Sequence, residues 1–142
     1  MVMIVTIDVD VSLPSDLLGR VPVIVVGFRN PHDVLTCVAA LEHVNAETPI
    51  EVFICENGGK TAFEQLIAAL TSQSGPCLFQ GKLAGQPLAS VTNAVMLQGK
   101  SFRVFVACAQ ENLGYAGGAN AWLRPLLEVT GWTGAWILNP DT

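Results

Sequence analysis

Charge is scarce in this 142-residue chain: 13% of its residues are Asp, Glu, Lys or Arg, while 51% are apolar. That balance excludes a disordered chain and fits one compact domain with strands buried in its interior. Basic residues are few and dispersed. Arg20, Arg29, Lys60, Lys82, Lys100, Arg103 and Arg124 are scattered along a chain of net charge −5. Without a Lys/Arg stripe, the electrostatic footprint of a nucleic-acid binder is missing. The four cysteines show neither CxxC nor Cys/His spacing, which excludes the usual zinc sites. Cys37, Cys55 and Cys108 lie within apolar runs and read as buried thiols of a reducing compartment. No apolar run reaches the roughly 18 residues of a membrane span. The hydrophobic N-terminus lacks a basic stretch and is interrupted by Asp8 and Asp10, unlike a signal peptide.

Both standard phosphate cradles are absent as well. "ENGGKT" (56–61) contains Gly-Lys-Thr between a strand and a helix, but a P-loop needs a further glycine where Ile54 stands. A glycine-rich turn is the simpler reading. In "ENLGYAGGAN" (111–120) the glycines are spaced G-x-x-G-G, which is not the dinucleotide-binding G-x-G-x-x-G.

What is present is an alternation of strand and helix signals. "MIVTIDVDVSL" (3–13) alternates apolar and polar residues and predicts a half-buried, antiparallel edge strand; "PSDLLGR" then reads as a turn or short helical link. Four continuous apolar runs, 22–27, 50–55, 102–108 and 135–139, predict neighbouring parallel strands covered on both faces. Asn30 with Pro31 and Asp33 predicts a capped helix start, followed by an apolar face of Val34, Leu35, Val38, Leu41 and Val44. A second helix is predicted over 61–71. A third begins near Ala116 and is kinked or divided by Pro125. Residues 73–101 are too long for a simple link, and strand-like pieces around Gly81 and Gly85 predict an inserted hairpin. The fold class is α/β, a mostly parallel sheet with helices on both faces, forming one domain over 1–142.

The carboxyl ends of the four strands carry Gly27-Phe28-Arg29-Asn30, Glu56-Asn57-Gly58, Asn112-Leu113-Gly114-Tyr115 and Asn139-Pro140-Asp141. In an open parallel sheet such ends form the ligand crevice. Taken singly, these residues have plainer readings. Glu56 reads as a solvated turn carboxylate, Asn112 and Asn120 as partners of loop backbone, and Tyr115 as a core anchor. Asn139-Pro140-Asp141 reads as an ordinary turn. His32 and His43 read as solvent-facing, without a catalytic partner.

Read in order, "VPVIVVGFRN", "IEVFICENGG", "ENLGYAGGAN" and "WILNPDT" resemble the family 2 glycosyltransferases, in particular their rhamnosyltransferase-like branch, over residues 21–142. The pair "NLGYAGGAN" and "LNPDT" is the specific part. The resemblance implies a Rossmann-like fold of the GT-A type and transfer of a sugar from a UDP- or dTDP-linked donor to a glycan or lipid-linked acceptor. It implies a role in cell-wall or polysaccharide biosynthesis, in the cytoplasm or at the inner face of the membrane. Phe28 and Arg29 would meet the base. Glu56 stands where the family has an aspartate that hydrogen-bonds base or ribose, with Asn57 and Gly58 shaping the turn beside it. Asn112, Gly114, Gly117, Gly118 and Asn120 would close over the sugar-diphosphate at a helix start, whose N–H groups suit negative charge. Asp141, with Asn139 in place of the family's second aspartate, would hold Mg²⁺ or Mn²⁺ against the diphosphate. No residue supplies the general base that sugar transfer needs. The expectation is therefore the donor-binding part of a longer enzyme, inactive by itself. Two other classes stay open: a noncatalytic nucleotide-binding module, and an assembly domain pairing with a second copy through its sheet edge.

Overall fold

A computed structural model describes residues 10–44, 47–84 and 88–140. In chain order the elements are β1 (Asp10–Val11), β2 (Val21–Gly27), α1 (Pro31–Leu41), β3 (Ile50–Glu56), α2 (Lys60–Leu70), β4 (Leu78–Leu83), β5 (Val91–Gln98), β6 (Arg103–Ala109), α3 (Gly114–Leu126) and β7 (Trp136–Leu138). The strands form one sheet in the order β1-β4-β5-β6-β3-β2-β7. The four predicted runs are the adjacent parallel strands β6, β3, β2 and β7. The predicted hairpin is β4 and β5, so β5 runs antiparallel to both neighbours; Gly85 lies outside the described residues.

Alternate residues of each central strand feed two cores. Val23, Val25, Val52, Ile54, Val104 and Val106 face α1 and α2, where Val34, Val38, Phe63, Leu66 and Leu70 meet them. Ile24, Phe53, Cys55, Phe105 and Ala107 face α3, which contributes Ala119, Ala121, Trp122 and Leu126. Helices on both faces explain why these strands read as unbroken apolar runs. Phe53 and Phe105 stack at 4.9 Å, and Trp122 tilts against Phe53 at 5.3 Å. The Trp122 indole N–H donates to the Ile54 carbonyl at 2.7 Å, fastening α3 over the middle of the sheet.

Five expectations need correction. The described end of the N-terminal strand, β1, lies at the sheet edge but pairs parallel with β4. Alternation reports how many faces are covered and carries no information on direction; residues 1–9 lie outside the described set. Strand β7 is not covered on both faces: it is the opposite edge, with Trp136 39% and Ile137 45% exposed. Asn30 occupies the N-cap position of α1 but makes no side-chain cap; its Oδ1 instead accepts the Phe28 N–H at 2.8 Å. Pro125 does not divide the third helix, because it falls in the last turn and α3 ends one residue later. Of the thiols read as buried, Cys55 and Cys108 are so and Cys37 is half-buried, while Cys77 is buried too.

Candidate functional site

Because β2, β3, β6 and β7 run parallel, the chain leaves all four at one edge of the sheet. The strand order reverses at β2: β3 and β6 lie on one side of it, β7 on the other. A reversal of this kind marks the ligand crevice of open α/β sheets. Phe28-Arg29, Glu56-Asn57-Gly58, Asn112-Gly114 and Asn139 all stand at this edge.

Glu56 organises the first two loops. It has no exposed surface, contrary to the solvated-turn reading. Its Oε2 accepts the Arg29 N–H at 3.1 Å and the Gly58 N–H at 2.8 Å. Its Oε1 is buried without a hydrogen-bond partner, and the carboxylate makes no ion pair among the described residues. Burying such an acceptor unsatisfied costs about 1–3 kcal/mol, so the arrangement calls for a compensating reason. One reason is visible in the backbone. Arg29 has φ +56°, a left-handed conformation that a non-glycine residue holds only when its surroundings force it. The Glu56 carboxylate supplies that force through the Arg29 N–H. Gly58 supplies the room, since a Cβ there would lie 2.6 Å from Arg29 Cγ. The result is an exposed pair at the crevice, with the Arg29 guanidinium 5.1 Å from the centre of the half-exposed Phe28 ring.

Asn57 joins the second loop to the third. Its N–H donates to the Gly27 carbonyl at 2.8 Å, its Nδ2 to the Gly114 carbonyl at 3.0 Å, and its Oδ1 accepts the Leu113 N–H at 3.2 Å. Asn112 Oδ1 accepts the Gly114 N–H at 3.0 Å and closes the turn before α3. The glycines that follow differ from one another. Gly114 is left-handed at φ +73° and faces open space. Gly118 is buried, and a Cβ there would lie 2.7 Å from Val26 Cγ1 and 3.0 Å from Asn57 Nδ2. Its bareness lets α3 lie directly on β2. Gly117 is half-buried and lines a separate recess with Asn120, which sits exposed inside α3. Tyr115, half-exposed, anchors no core.

The chain matches no protein-family model, no curated protein and no solved structure.

The structure therefore unites Arg29, Glu56 and Gly58 in one hydrogen-bonded unit, and Asn57 with the Asn112–Gly114 turn in another. Gly118 touches the second through Asn57. Gly117 and Asn120 look away from both, toward Ala89 and Ser90. Asn139 follows β7, whose Leu138 pairs with Val25 of β2. Asp141 lies outside the described residues. Among the described residues no three His, Cys, Asp or Glu side chains gather as a metal site, and Asn139 is a neutral ligand. The described donors do not by themselves make a metal centre, so no step is derived through one. Sequence reasoning missed the burial of Glu56 and the bridging role of Asn57. The signal for the first was present: Glu56 directly ends a strand whose every residue is covered.

Proposed function

We propose that the crevice binds the nucleotide of a nucleotide sugar, UDP- or dTDP-linked, as the donor-binding part of a sugar-transferring enzyme. What carries the reading is the buried Glu56 carboxylate holding Arg29 in a strained conformation at the point where the strand order reverses. Loops fixed in advance at that place lower the ordering cost of binding. Phe28 and Arg29 offer an aromatic face and a cation to the base and phosphates. Glu56, being fully buried, acts as a positioning residue for the Arg29 and Gly58 backbone. Asn57 plays the same part for the turn before α3. Metal assistance through Asn139 and Asp141 belongs to the proposal, with the diphosphate providing the remaining oxygen ligands.

The test is calorimetric titration of the chain with UDP, dTDP and their glucose and rhamnose conjugates, with and without Mn²⁺. Binding of at least one nucleotide, lost in Arg29→Ala, is the expected result. Absence of heat and of any rise in melting temperature at millimolar nucleotide would overturn it.

A second reading rests on the β7 edge, where Trp136 and Ile137 are exposed and β7 has one neighbour, β2, among the described strands. Such an edge can pair with another copy. Light scattering that gives a dimer broken by Ile137→Lys would favour this assembly role.

A further inference from the structure

A recess lies between the outer face of α3 and residues Ala89 and Ser90, which lead into β5. Gly117, Asn120 and Arg124 line it from the helix and Ser90 from the other side, and it encloses about 230 Å³. Residues three and four apart share a helical face, which is how 117, 120 and 124 come to look the same way. A cavity of about 440 Å³ adjoins it, sharing Ala89, Arg124 and Pro125. Leu13, Leu83, Leu88 and Val129 wall this second cavity, with Glu128 as its one acid among the described residues. The larger of the two falls within the range of small-molecule sites, about 300–1,000 Å³.

The two cavities differ in chemistry. At the first, the Ser90 hydroxyl, the Asn120 amide and the Arg124 guanidinium make no hydrogen bond or ion pair among the described residues. Glu128, one helical turn beyond Arg124, is not within ion-pair distance of it. Arg124 thus brings a cation to the recess, with the Ser90 hydroxyl and the Asn120 amide able to donate beside it. Ser90 is also held at φ +65°, with its carbonyl accepting the Gln110 N–H at 2.8 Å. Ser90 is thereby tied to the residue that follows β6. The second cavity is lined mainly by aliphatic side chains, with Arg124 and Glu128 among them.

We propose that the joined cavities bind an amphiphilic oxyanion. Its phosphate-monoester or carboxylate head is held by Arg124, Asn120 and Ser90, and its aliphatic tail lies among Leu83, Leu88 and Val129. The guanidinium fork matches a pair of oxyanion oxygens, and the hydroxyl and amide supply the outer donors. A neutral head would leave the cation unanswered. A head without a tail would leave the larger cavity unfilled. The site goes beyond the nucleotide crevice, because none of its residues belongs to the unit that pins Arg29 and Gly58.

The experiment titrates octyl phosphate, decanoate, inorganic phosphate and octyl glucoside into the whole chain, followed by amide, Arg Nε–H and methyl NMR signals. Octyl phosphate or decanoate is expected to shift Ser90, Gly117 and the Arg124 Nε–H together with the Leu83, Leu88 and Val129 methyls. The tighter of the two identifies the head. Inorganic phosphate and the glucoside should bind at least tenfold more weakly. Arg124→Gln, at an exposed position, should weaken the amphiphile at least tenfold while the melting temperature stays unchanged. Equal binding of octyl glucoside, or parent-like affinity in Arg124→Gln, would overturn the anion site. Equal binding of inorganic phosphate would overturn the tail, and no shift at these residues would overturn both. A UDP titration of the same sample reads Arg29 and Gly58 instead. Its failure beside a positive octyl phosphate result would remove the nucleotide reading alone.

Discussion

Strand β3 carries a buried glutamate at each end, and the two are held in opposite ways. Glu51, 1% exposed, stands at the amino end. The Arg103 Nε–H and N–H donate to its two oxygens at 2.8 and 2.7 Å, Arg103 Nη2 lies at 2.6 Å, and Arg20 approaches to 3.6 Å. Glu56, equally buried at the carboxyl end, has two backbone N–H donors among the described residues and one oxygen without a partner among them. The first is a closed account of charge and hydrogen bonds that clamps β3 to β6. The second leaves an acceptor unsatisfied and holds a neighbouring backbone under strain. Proteins tolerate such a state where function needs a preformed loop. Within one strand, then, the amino end serves stability and the carboxyl end serves the site.

The comparison can be broken most forcefully at the amino end. Arg103→Ala should destabilise the fold by about 3 kcal/mol, because a buried carboxylate loses its main partner. It should leave the amide signals of Arg29 and Gly58 in place. Urea denaturation beside an NMR spectrum checks both parts; a loss below 1 kcal/mol would mean that Arg20 alone suffices.

Next in size is Gly118→Val, expected to cost about 2–3 kcal/mol by driving a side chain into Val26. Gly117→Val should cost less, about 1–2 kcal/mol, since its Cβ would lie 2.9 Å from the Leu113 Cβ and displace only the turn before α3. Denaturation curves of the two variants that coincide would show that both glycines serve the same purpose.

Glu56→Gln sharpens the contrast further. It should lower stability by about 1–2 kcal/mol, by replacing charge-assisted hydrogen bonds and burying an amide with nothing to donate to. Nucleotide affinity should fall with it, through the Arg29 backbone, while Arg103→Ala leaves that affinity unchanged. Calorimetry on the two variants separates a stabilising glutamate from a positioning one.

The smallest effect expected is on alkaline stability. Burial pushes the Cys55 thiol up to about 12, with the Glu56 and Cys108 charges adding to it. Burial first, and then the Glu42 charge, pushes Cys77 up to about 11. Both lie above the ordinary thiol value of 9.0. The folded state therefore binds these protons more tightly than the unfolded chain. Their contribution is complete below about pH 9 and is lost as pH rises toward 11–12. Melting temperatures should be flat with respect to the thiols from pH 7 to 9 and fall above it. Replacing both cysteines with alanine should flatten that fall.

Much of the fold was legible because it rests on local rules. The runs at 22–27, 50–55 and 102–108 contain a residue for each covered face, and nothing but a doubly covered strand requires that. The run at 135–139 misled as to burial, since an apolar sequence at an edge looks the same as one at the centre. At the site, the positions were legible as strand ends. Their interactions were not, because Glu56 meets Arg29 and Asn57 meets Gly114 across long gaps in the chain. Arg124 was legible in principle, one turn beyond Asn120 on the same face. Its significance appears only with Ser90 opposite.

The sequence by itself determined the class of the fold, the three helices, the inserted hairpin and the edge at which loops would gather. Periodicity and strand-to-helix order are properties of neighbouring residues, and short-range sterics and burial suffice to enforce them. Tertiary structure alone decided the direction of β1, the edge position of β7 and the different fates of Glu51 and Glu56. Two carboxylates on one strand have the same intrinsic chemistry. Which one finds a guanidinium and which finds backbone N–H groups is set by the strands and loops brought beside them, and that follows from the packing of the whole sheet.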